Sequence, residues 1–513
     1  MKRFLKRHAN RITGTLTGFD RVLFRGTLRS ISYQNGMDIF LSSQHVLYKD
    51  FASFAQKISD RLKTHAESMA QRLKRPLVYV ASSKESKETI ARTIMEKDGI
   101  TDGLICILSC VEPCQSFSIR RDQGTKHLVL TPQQRKCLHL YFYYMDREFG
   151  LMHLRLQTWL PMSIQICING REWLARALDR AHITYERRDN CFTRIDDLPH
   201  AQQLLDRLSQ RKWHRLFSVM ARRVNPWLHG NDALNLHGYY WTVRQAEFAT
   251  DVMFRDADSL HEYYPLFVRH AIDQFRSDDV LRFLGRRTNI RFNGEVRSDL
   301  TRRTEGVRVK HWVESNSIKM YDKPACGGRI ETTINNPRQF KVRRHVRRHG
   351  NPVTAWVPMR KGVVDMRRLV QVCRTANERY LEALAVIGES SPSHKLLDSV
   401  SVPVTRNGRR YRALRPISPE DATIFQRVSG PAALLQGFRN KDIRSPLPGT
   451  EQQSPTERRK CTARTSRTLR LLCAHEVVYK VPQTNYYRIT QRGQQIMTTS
   501  LRFRESNIAL LAA

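Results

Sequence analysis

Tyrosine and carboxylate side chains suited to attack on a phosphodiester stand close together between residues 315 and 334. Tyr321 and Asp322 lie near the end of the segment SIKMYDK, and Glu331 follows in the segment RIE. A tyrosine hydroxyl can act as a nucleophile, and a carboxylate can hold the divalent cation that stabilises the developing charge. These three residues are the candidate catalytic set, and a divalent metal is implied only if the chain is an enzyme.

The residues around this set alternate in polarity as antiparallel strands do. The alternation runs through Val307–Val313, Ser317–Tyr321 and Arg329–Ile334, with a turn at Pro324–Gly328. We therefore predict a small antiparallel sheet in which Tyr321 faces the partner strand. The alternative, which we favour, is a strand pair that Lys–Glu and Arg–Asp contacts tie together on its solvent side.

SIKMYDK followed by RIE resembles a strand pair of rolling-circle replication initiators of the plasmid and phage type. The resemblance covers only residues 315–334, and it implies a nicking site. This sequence departs from that family because no histidine–hydrophobic–histidine metal motif stands beside the two segments. The departure argues against nicking.

A run of positive charge follows the predicted sheet, with almost no acid to compensate it. Its cations are Arg338, Lys341, Arg343, Arg344, Arg347, Arg348, Arg360 and Lys361. Charge of one sign destabilises a compact state unless an anion is supplied, and nucleic-acid phosphate is the simplest supply. The alternative is an ordinary solvated face or a mobile loop.

The C-terminal region has the order helix, hairpin, helix. Arg464, Arg467 and Arg470 lie off the apolar face of the first helix and are free to meet phosphate. The segment Val477–Ile489 indicates two short strands around a turn, and Thr490 is placed to cap the following helix. Upstream, Ser418 and the proline after it are typical of a helix start.

The segment LRLLCAHEVVYKVPQTNYYRITQRG resembles a MarR-type winged-helix DNA-binding domain. The resemblance covers roughly the last fifth of the chain and implies a helix over 455–474 in a DNA major groove. It also implies that the hairpin, which includes Arg488, touches the backbone or the minor groove. Pro446 and Pro448 shorten the second helix relative to the family. The alternative is that this fold serves as a protein–protein module.

The composition limits the class of protein. The 513 residues include 87 basic and 48 acidic side chains, which gives a net charge of +39. A field of this sign attracts polyanions, so DNA is the expected partner and RNA the alternative. No apolar run approaches the ~20 residues that span a bilayer, so we expect no membrane partner. Ten cysteines without a dense framework fit a reducing cytoplasm, and no metal or resident cofactor is predicted.

The expected fold class is α+β and multidomain. The predicted segments are a basic arm with a helical segment at 1–75, a mixed α/β domain at 76–235, a helical connector with a small antiparallel sheet and the basic region at 236–375, a linker at 376–416 and a winged helix-turn-helix domain at 417–513. In the first segment Arg21, Arg25 and Arg29 alternate with apolar residues. That pattern indicates a strand whose basic face meets either nucleic acid or solvent.

Two classes of function remain open. The first is a nucleic-acid-binding protein of bacterial type, from a mobile or plasmid-like element, that binds DNA through a C-terminal winged helix with extended basic contacts to the backbone. The second is a DNA-processing enzyme such as a replication initiator, nickase or recombinase. Size favours the enzyme, but no metal triad or nucleotide-binding glycine loop is present. A structured-RNA-binding protein is a third possibility.

Overall fold

The computed structural model describes most of the chain. The described residues are 1–81, 85–188, 190–229, 234–286, 294–303, 306–323, 327–348, 351–387, 393–429, 438–443, 455–481 and 484–506. They form two compact units. The larger comprises Met1–Gln274, Arg282–Arg286 and Glu295–Ala385, and the smaller is built mainly from Val386 onward.

Most strands precede residue 386. In chain order they are β1 Ile12–Thr27, β2 Leu77–Tyr79, β3 Gly103–Arg121, β4 Leu128–Asp146, β5 Gly150–Gln157, β6 Ile164–Asn169, β7 Tyr185–Arg188, β8 Cys191–Ile195, β9 Tyr240–Phe254, β10 Val296–Arg303, β11 Gly306–Val313, β12 Asn316–Lys323, β13 Gly327–Ile334, β14 Lys341–Arg348 and β15 Asn351–Pro358. The α-helices of the same part of the chain are α1 Lys2–Arg7, α2 Gln34–Ser43, α3 Phe51–Arg72, α4 Lys87–Lys97, α5 Gly170–Arg180, α6 Leu198–Ser209, α7 Trp213–Val224, α8 Ala257–Asp273, α9 Ser277–Phe283 and α10 Met366–Leu384.

One large sheet organises the first unit. Its eleven strands, counted over the described residues, follow the order β10-β11-β12-β13-β9-β1-β6-β5-β4-β3-β2. All neighbours pair antiparallel except β2 and β3, which are parallel. β7 with β8, and β14 with β15, form two separate two-stranded sheets. The fold is therefore mixed, with one large sheet and smaller antiparallel ones.

Alternating side chains give the central strands one apolar face. Helix α7 covers it: the ring centroid of Phe217 lies 4.4 Å from that of Phe24 and 5.1 Å from that of Trp241. All three side chains are buried, and each contributes about 1.5–3 kcal/mol relative to exposure. On the same strands Arg25 and Gln165 are only half-buried. The second face of the central strands is therefore polar and partly open.

The small sheet predicted for the middle of the chain is the edge of the large one. Strands β11, β12 and β13 lie where the alternation predicts them. β13 also pairs with β9, from Gly327 opposite Met253 to Ile334 opposite Ala246, so the prediction of a separate sheet was wrong. β13 is therefore hydrogen-bonded on one side to β12, which precedes it closely in the chain, and on the other side to the distant strand β9. The predicted segments 1–75, 76–235 and 236–375 all supply strands to this one sheet.

From Val386 onward, the described residues of the second unit form five helices and five strands. They are α11 Ser393–Asp398, β16 Val404–Arg406, β17 Arg409–Tyr411, α12 Pro419–Val428, β18 Phe438–Arg439, α13 Asn440–Ile443, α14 Pro455–Ala474, β19 Val478–Lys480, β20 Tyr486–Ile489 and α15 Gln491–Glu505. Strand β20 lies between β18 and β19. Ser418 caps α12 and Thr490 caps α15, as predicted.

The core of the second unit joins these elements. Phe425, Leu472 and Ile496, from α12, α14 and α15, are fully buried in one cluster with Val477. Each helix therefore packs through a single apolar face. No described helix of the chain combines the length and hydropathy needed to cross a membrane.

Candidate functional site

Tyr321 and Glu331 are brought together as the sequence predicts. They lie on the adjacent strands β12 and β13, and the Tyr321 hydroxyl donates to Glu331 Oε2 at 2.7 Å. Lys319 Nζ lies 2.8 Å from the other carboxylate oxygen, Oε1. Burial and the neighbouring Glu331 carboxylate raise the pKa of Tyr321 well above its usual value. The tyrosine is therefore a neutral hydrogen-bond donor in this setting.

Asp322 does not join this pair. Successive residues of a strand point to opposite faces of the sheet, so Asp322 faces away from Tyr321. Its Oδ1 accepts a hydrogen bond from the backbone N–H of Val307 at 2.9 Å, where it holds the start of β11. Burial raises the pKa of Asp322. The predicted set of three residues does not converge, and Asp322 serves the strand pairing.

Arg329 is the centre of a buried ionic cluster, which we define as Asp20, Arg171, Asp251 and Arg329. Its guanidinium pairs with Asp251 through Nε and with Asp20 Oδ2 through Nη1 at 2.8 Å. Its Nη2 donates to the carbonyl oxygen of Asn190 at 2.7 Å. The Arg329 side chain is 0% exposed, and the two carboxylates raise its pKa against the opposing effect of burial.

Local backbone features place the other members of the cluster. Asp20 lies where the pairing of β1 with β9 shifts register between Phe19 and Val22, and such a bulge re-aims a side chain. Asn169 caps α5. Gly170 then passes so close to β1 that a Cβ there would lie 2.2 Å from the carbonyl oxygen of Phe19. This close approach lets Arg171 reach Asp251, at 2.8 Å.

Glu247 extends the polar face toward the centre of the sheet. It lies opposite Thr333 in the register of β9 and β13, two residue pairs from Glu331 and on the same face. Burial and the Glu331 carboxylate raise the pKa of Glu247 to about 7. The neutral carboxyl is therefore retained through mildly acidic pH, which limits the repulsion between the two acids.

The buried ionic cluster and the neighbouring Lys319–Glu331 pair stabilise the fold by joining adjacent strands. Lys319–Glu331 and Arg329–Asp251 are the kinds of contact that the favoured sequence interpretation proposed, but they lie inside the protein rather than on its solvent side. Each buried charge has an opposite charge beside it, as burial requires. Within the described residues, no group of three histidine, cysteine or acidic side chains is placed to hold a metal ion.

Sequence reasoning missed three of the four residues of the cluster. Asp20 stands in GFDRVLF and Asp251 in ATDVMF, both as single acids within strongly apolar strands. An acid in such a strand is rarely buried without a partner. A lone acid in an apolar strand was therefore the feature of the sequence that could have predicted a buried ion pair. The identity of the arginine that pairs with each acid depends on strand pairing between segments far apart in the chain.

The predicted basic run forms a separate two-stranded ribbon. The basic ribbon consists of β14 and β15, residues 341–348 and 351–358, in register from Lys341 opposite Pro358 to Arg348 opposite Asn351. Arg343 and Arg347 are exposed on one face of it, and Arg344 is half-buried on the other. The side chain of Arg348 lies outside the described residues. The cations of one ribbon face thus project into solvent.

An exposed tryptophan lies among these cations. Trp356 lies directly across from Arg343, and 66% of the tryptophan is exposed. The base of the ribbon joins the large sheet at Lys361, whose carbonyl oxygen accepts from Val243 N at 2.8 Å. A large exposed aromatic among uncompensated cations is suited to a base and its phosphate. Trp356 is not among the site residues predicted from the sequence.

The three arginines predicted on α14 share an exposed helix face. Arg464, Arg467 and Arg470 recur at three-residue spacing and are all exposed, whereas Leu469 and Leu472 on the other side are buried. We name these three residues the arginine face. No described carboxylate lies within ion-pairing distance of it. The uncompensated charge is therefore available to an external anion.

A short hairpin lies beside α14. β19 and β20 pair from Val478 opposite Ile489 to Lys480 opposite Tyr487, which places Arg488 opposite Tyr479. Lys480 and Tyr479 are exposed, and Arg488 is half-buried. The third strand, β18, adds Arg439, whose guanidinium lies 4.2 Å from the ring centroid of Tyr486. The hairpin therefore adds cations to the same unit as the arginine face.

Comparison of this chain with protein-family models, with curated proteins and with solved structures finds no match. The resemblances noted in the sequence thus rest on their residues alone. Any functional assignment depends on the geometry and the charge described above.

Proposed function

We propose that this chain is a nucleic-acid-binding protein that binds duplex DNA through its second unit. The observation that carries the proposal is the arginine face, which is exposed and has no described carboxylate partner. The unit also has the element order helix, strand, helix, helix, strand, strand over α12, β18, α13, α14, β19 and β20. That order, with β20 between β18 and β19, supports a winged-helix assignment of the MarR type.

In this proposal α14 is the reading helix. Its 20 residues extend for about 30 Å at 1.5 Å per residue, and a major groove about 12 Å wide admits one helix. Guanidinium groups can bind guanine edges or phosphates with two parallel hydrogen bonds. The β19–β20 hairpin, with Arg488, then contacts the adjacent backbone. Pro446 and Pro448, which predict a short second helix, lie outside the described residues.

The basic ribbon supplies contacts that do not depend on sequence. Its exposed cations, together with Lys361 at its base, belong to a chain with a net charge of +39. Each phosphate that a cation neutralises releases counterions, so affinity falls as salt rises. The ribbon therefore strengthens binding without choosing a site. RNA could bind through the same cations, and parallel titrations with RNA and DNA decide between them.

Replacing Arg343, Arg347 and Lys361 together with glutamine should weaken binding to all duplex sequences alike. We expect the slope of log affinity against log salt to become shallower by about 2 to 3, because each lost phosphate contact removes about 0.9. Fluorescence anisotropy with labelled duplexes at several salt concentrations measures this slope.

The matched control replaces the exposed residues Arg72, Arg120 and Arg180, which changes the net charge by the same amount. An equal loss in the control, or an unchanged slope in the ribbon variant, would contradict the assignment of backbone contacts to the ribbon.

A second candidate function is phosphodiester cleavage with Tyr321 as nucleophile. The observation that favours it is the hydrogen bond from Tyr321 to Glu331, which could accept the tyrosine proton. This function requires that the protein nick supercoiled DNA with magnesium or manganese present, and that Tyr321→Phe and Glu331→Gln each abolish nicking. Nicking that survives both substitutions removes Tyr321 from consideration. We favour the binding function because Glu331 is 1% exposed.

A further inference from the structure

The half-open face of the large sheet carries a row of polar residues in register. Arg25 on β1 lies opposite Gln165 on β6, and Gln165 lies opposite Arg155 on β5. Thr242 on β9 lies opposite Arg25 on its other side. Neighbouring strands are about 4.8 Å apart, so the three residues from Arg25 to Arg155 span about 10 Å. The row therefore places the Gln165 amide between two guanidinium groups on one face of the sheet.

The two arginines differ in their partners. Arg155 is bound to Glu112 at 2.6 Å, and Lys87 and the Tyr141 hydroxyl also contact that carboxylate. Burial opposes the charge on Glu112, but the Arg155 guanidinium lowers the Glu112 pKa to about 2. Glu112 is thus fully engaged. Within the described parts of the chain, the Arg25 guanidinium has neither a hydrogen-bond acceptor nor an ion-pair partner, and its Nε is buried.

Positive charge is crowded around Arg25. Burial lowers the pKa of Arg25, and the nearby guanidinium groups of Arg244 and Arg155 lower it further. Arg244 on β9 is exposed and, among the described residues, has no carboxylate within ion-pairing distance. A half-buried guanidinium among like charges is costly unless an anion neutralises it. The fold positions a cation here that the described protein groups leave unsatisfied.

We propose that Arg25, Gln165 and Arg244 bind a phosphate group of a nucleic-acid backbone on the open face of the sheet. Arg25 and Arg244 supply forked N–H donors that match phosphate oxygens, and the Gln165 amide supplies a neutral donor between Arg25 and Arg155. The inference rests on the proposed function and adds a contact surface in the first unit. It also favours the nucleic-acid interpretation of the basic strand seen in the sequence.

The position of this site favours a polymer over a free anion. The backbone N–H of Val243, next to Arg244, donates to Lys361 at the base of the basic ribbon. The Arg25 site is therefore joined to the ribbon through directly hydrogen-bonded backbone. A chain of phosphates can engage both surfaces at once, whereas a single phosphate can occupy only one of them.

Arg25→Gln in the full-length protein tests the inference, with Arg244→Gln as a second variant. We expect each to lower oligonucleotide affinity about tenfold, which is about 1.4 kcal/mol, because each removes a charge-assisted hydrogen bond to phosphate. The salt slope should become shallower by about 0.9 for duplex and about 0.7 for single strands. Single-stranded DNA, duplex DNA and single-stranded RNA of equal length form three arms. Because Arg25 has no described partner and its unneutralised charge is unfavourable, its variant should melt at or above the wild-type temperature.

The control is Arg72→Gln, an exposed residue on α3, which should leave the slope unchanged. Equal losses in the Arg25 and Arg72 variants, or an unchanged slope in both Arg25 and Arg244 variants, would overturn the inference. The inference would also be overturned if inorganic phosphate raised the melting temperature of the wild type but not of Arg25→Gln, while the two proteins bound oligonucleotides with equal affinity. If the Arg25 effect is found but variants of the arginine face keep duplex sequence preference, the proposed function fails and this inference stands.

Discussion

Replacing Arg464, Arg467 and Arg470 together with glutamine should abolish the preference of the protein for its DNA site. A well-placed contact between a side chain and a base is worth about 1–3 kcal/mol of discrimination. Loss of three such contacts lowers specific affinity by at least about 100-fold. Non-specific binding should fall much less, because the basic ribbon is intact in this variant.

The measurement first selects a duplex from a random library with the wild-type protein. Specific and random duplexes are then titrated with both proteins at one salt concentration. The matched control replaces Arg409, Arg410 and Arg502, which are exposed cations of the same unit. If the arginine-face variant keeps the wild-type ratio of specific to random affinity, α14 does not read the site. If the ratio of specific to random affinity fell equally in the control, the loss of positive charge alone would explain the effect, and α14 would not be the reading helix.

Arg329→Met should be the most destabilising single substitution in the buried ionic cluster. It leaves Asp20 and Asp251, which are 5% and 1% exposed, with Arg171 as the only remaining guanidinium of the cluster. Removing one partner of a buried ion pair costs about 3–5 kcal/mol, because the other charge remains buried and unmatched. The free energy of unfolding of the first unit should fall by about that amount.

Urea denaturation followed by tryptophan fluorescence measures this change. Arg338→Met is the control, since Arg338 is exposed and a surface substitution of this kind stays within about 0.5 kcal/mol. Adding Asp20→Asn to Arg329→Met should restore part of the lost stability, because it removes one of the two buried carboxylates that have lost the Arg329 guanidinium. If Arg329→Met alone lowered the free energy of unfolding by less than about 1 kcal/mol, the cluster would not be a major source of stability.

Local pattern was sufficient to predict the strands around Tyr321. Alternation located β11, β12 and β13, and the structure pairs Lys319 with Glu331 and Tyr321 with Arg329. Residues 324–326 of the predicted turn lie outside the described residues. Neighbouring strands joined by a turn have a register that their own residues determine. The same reasoning found the caps at Ser418 and Thr490, which depend on only the next three residues.

Long-range pairing could not be predicted in this way. The alternation of β13 shows that it is a strand, but nothing in its residues identifies β9 as its second neighbour. The partners of Arg329 therefore stayed unknown, and Asp322 was placed beside Tyr321 on proximity in sequence although strand alternation puts it on the opposite face. The nucleic-acid role of the basic residues likewise remains a prediction that binding measurements must test.

The ion pair between Arg329 and Asp20 joins residues 309 positions apart. During synthesis the N-terminal strand therefore emerges from the ribosome long before its guanidinium partner exists. Closing so large a loop costs conformational entropy, which is offset only when the last contacts form. Folds with many contacts between distant segments therefore fold slowly. A nascent chain that ends before β13 retains two acids in apolar strands without Arg329, so the buried ionic cluster cannot form completely until synthesis has passed residue 334.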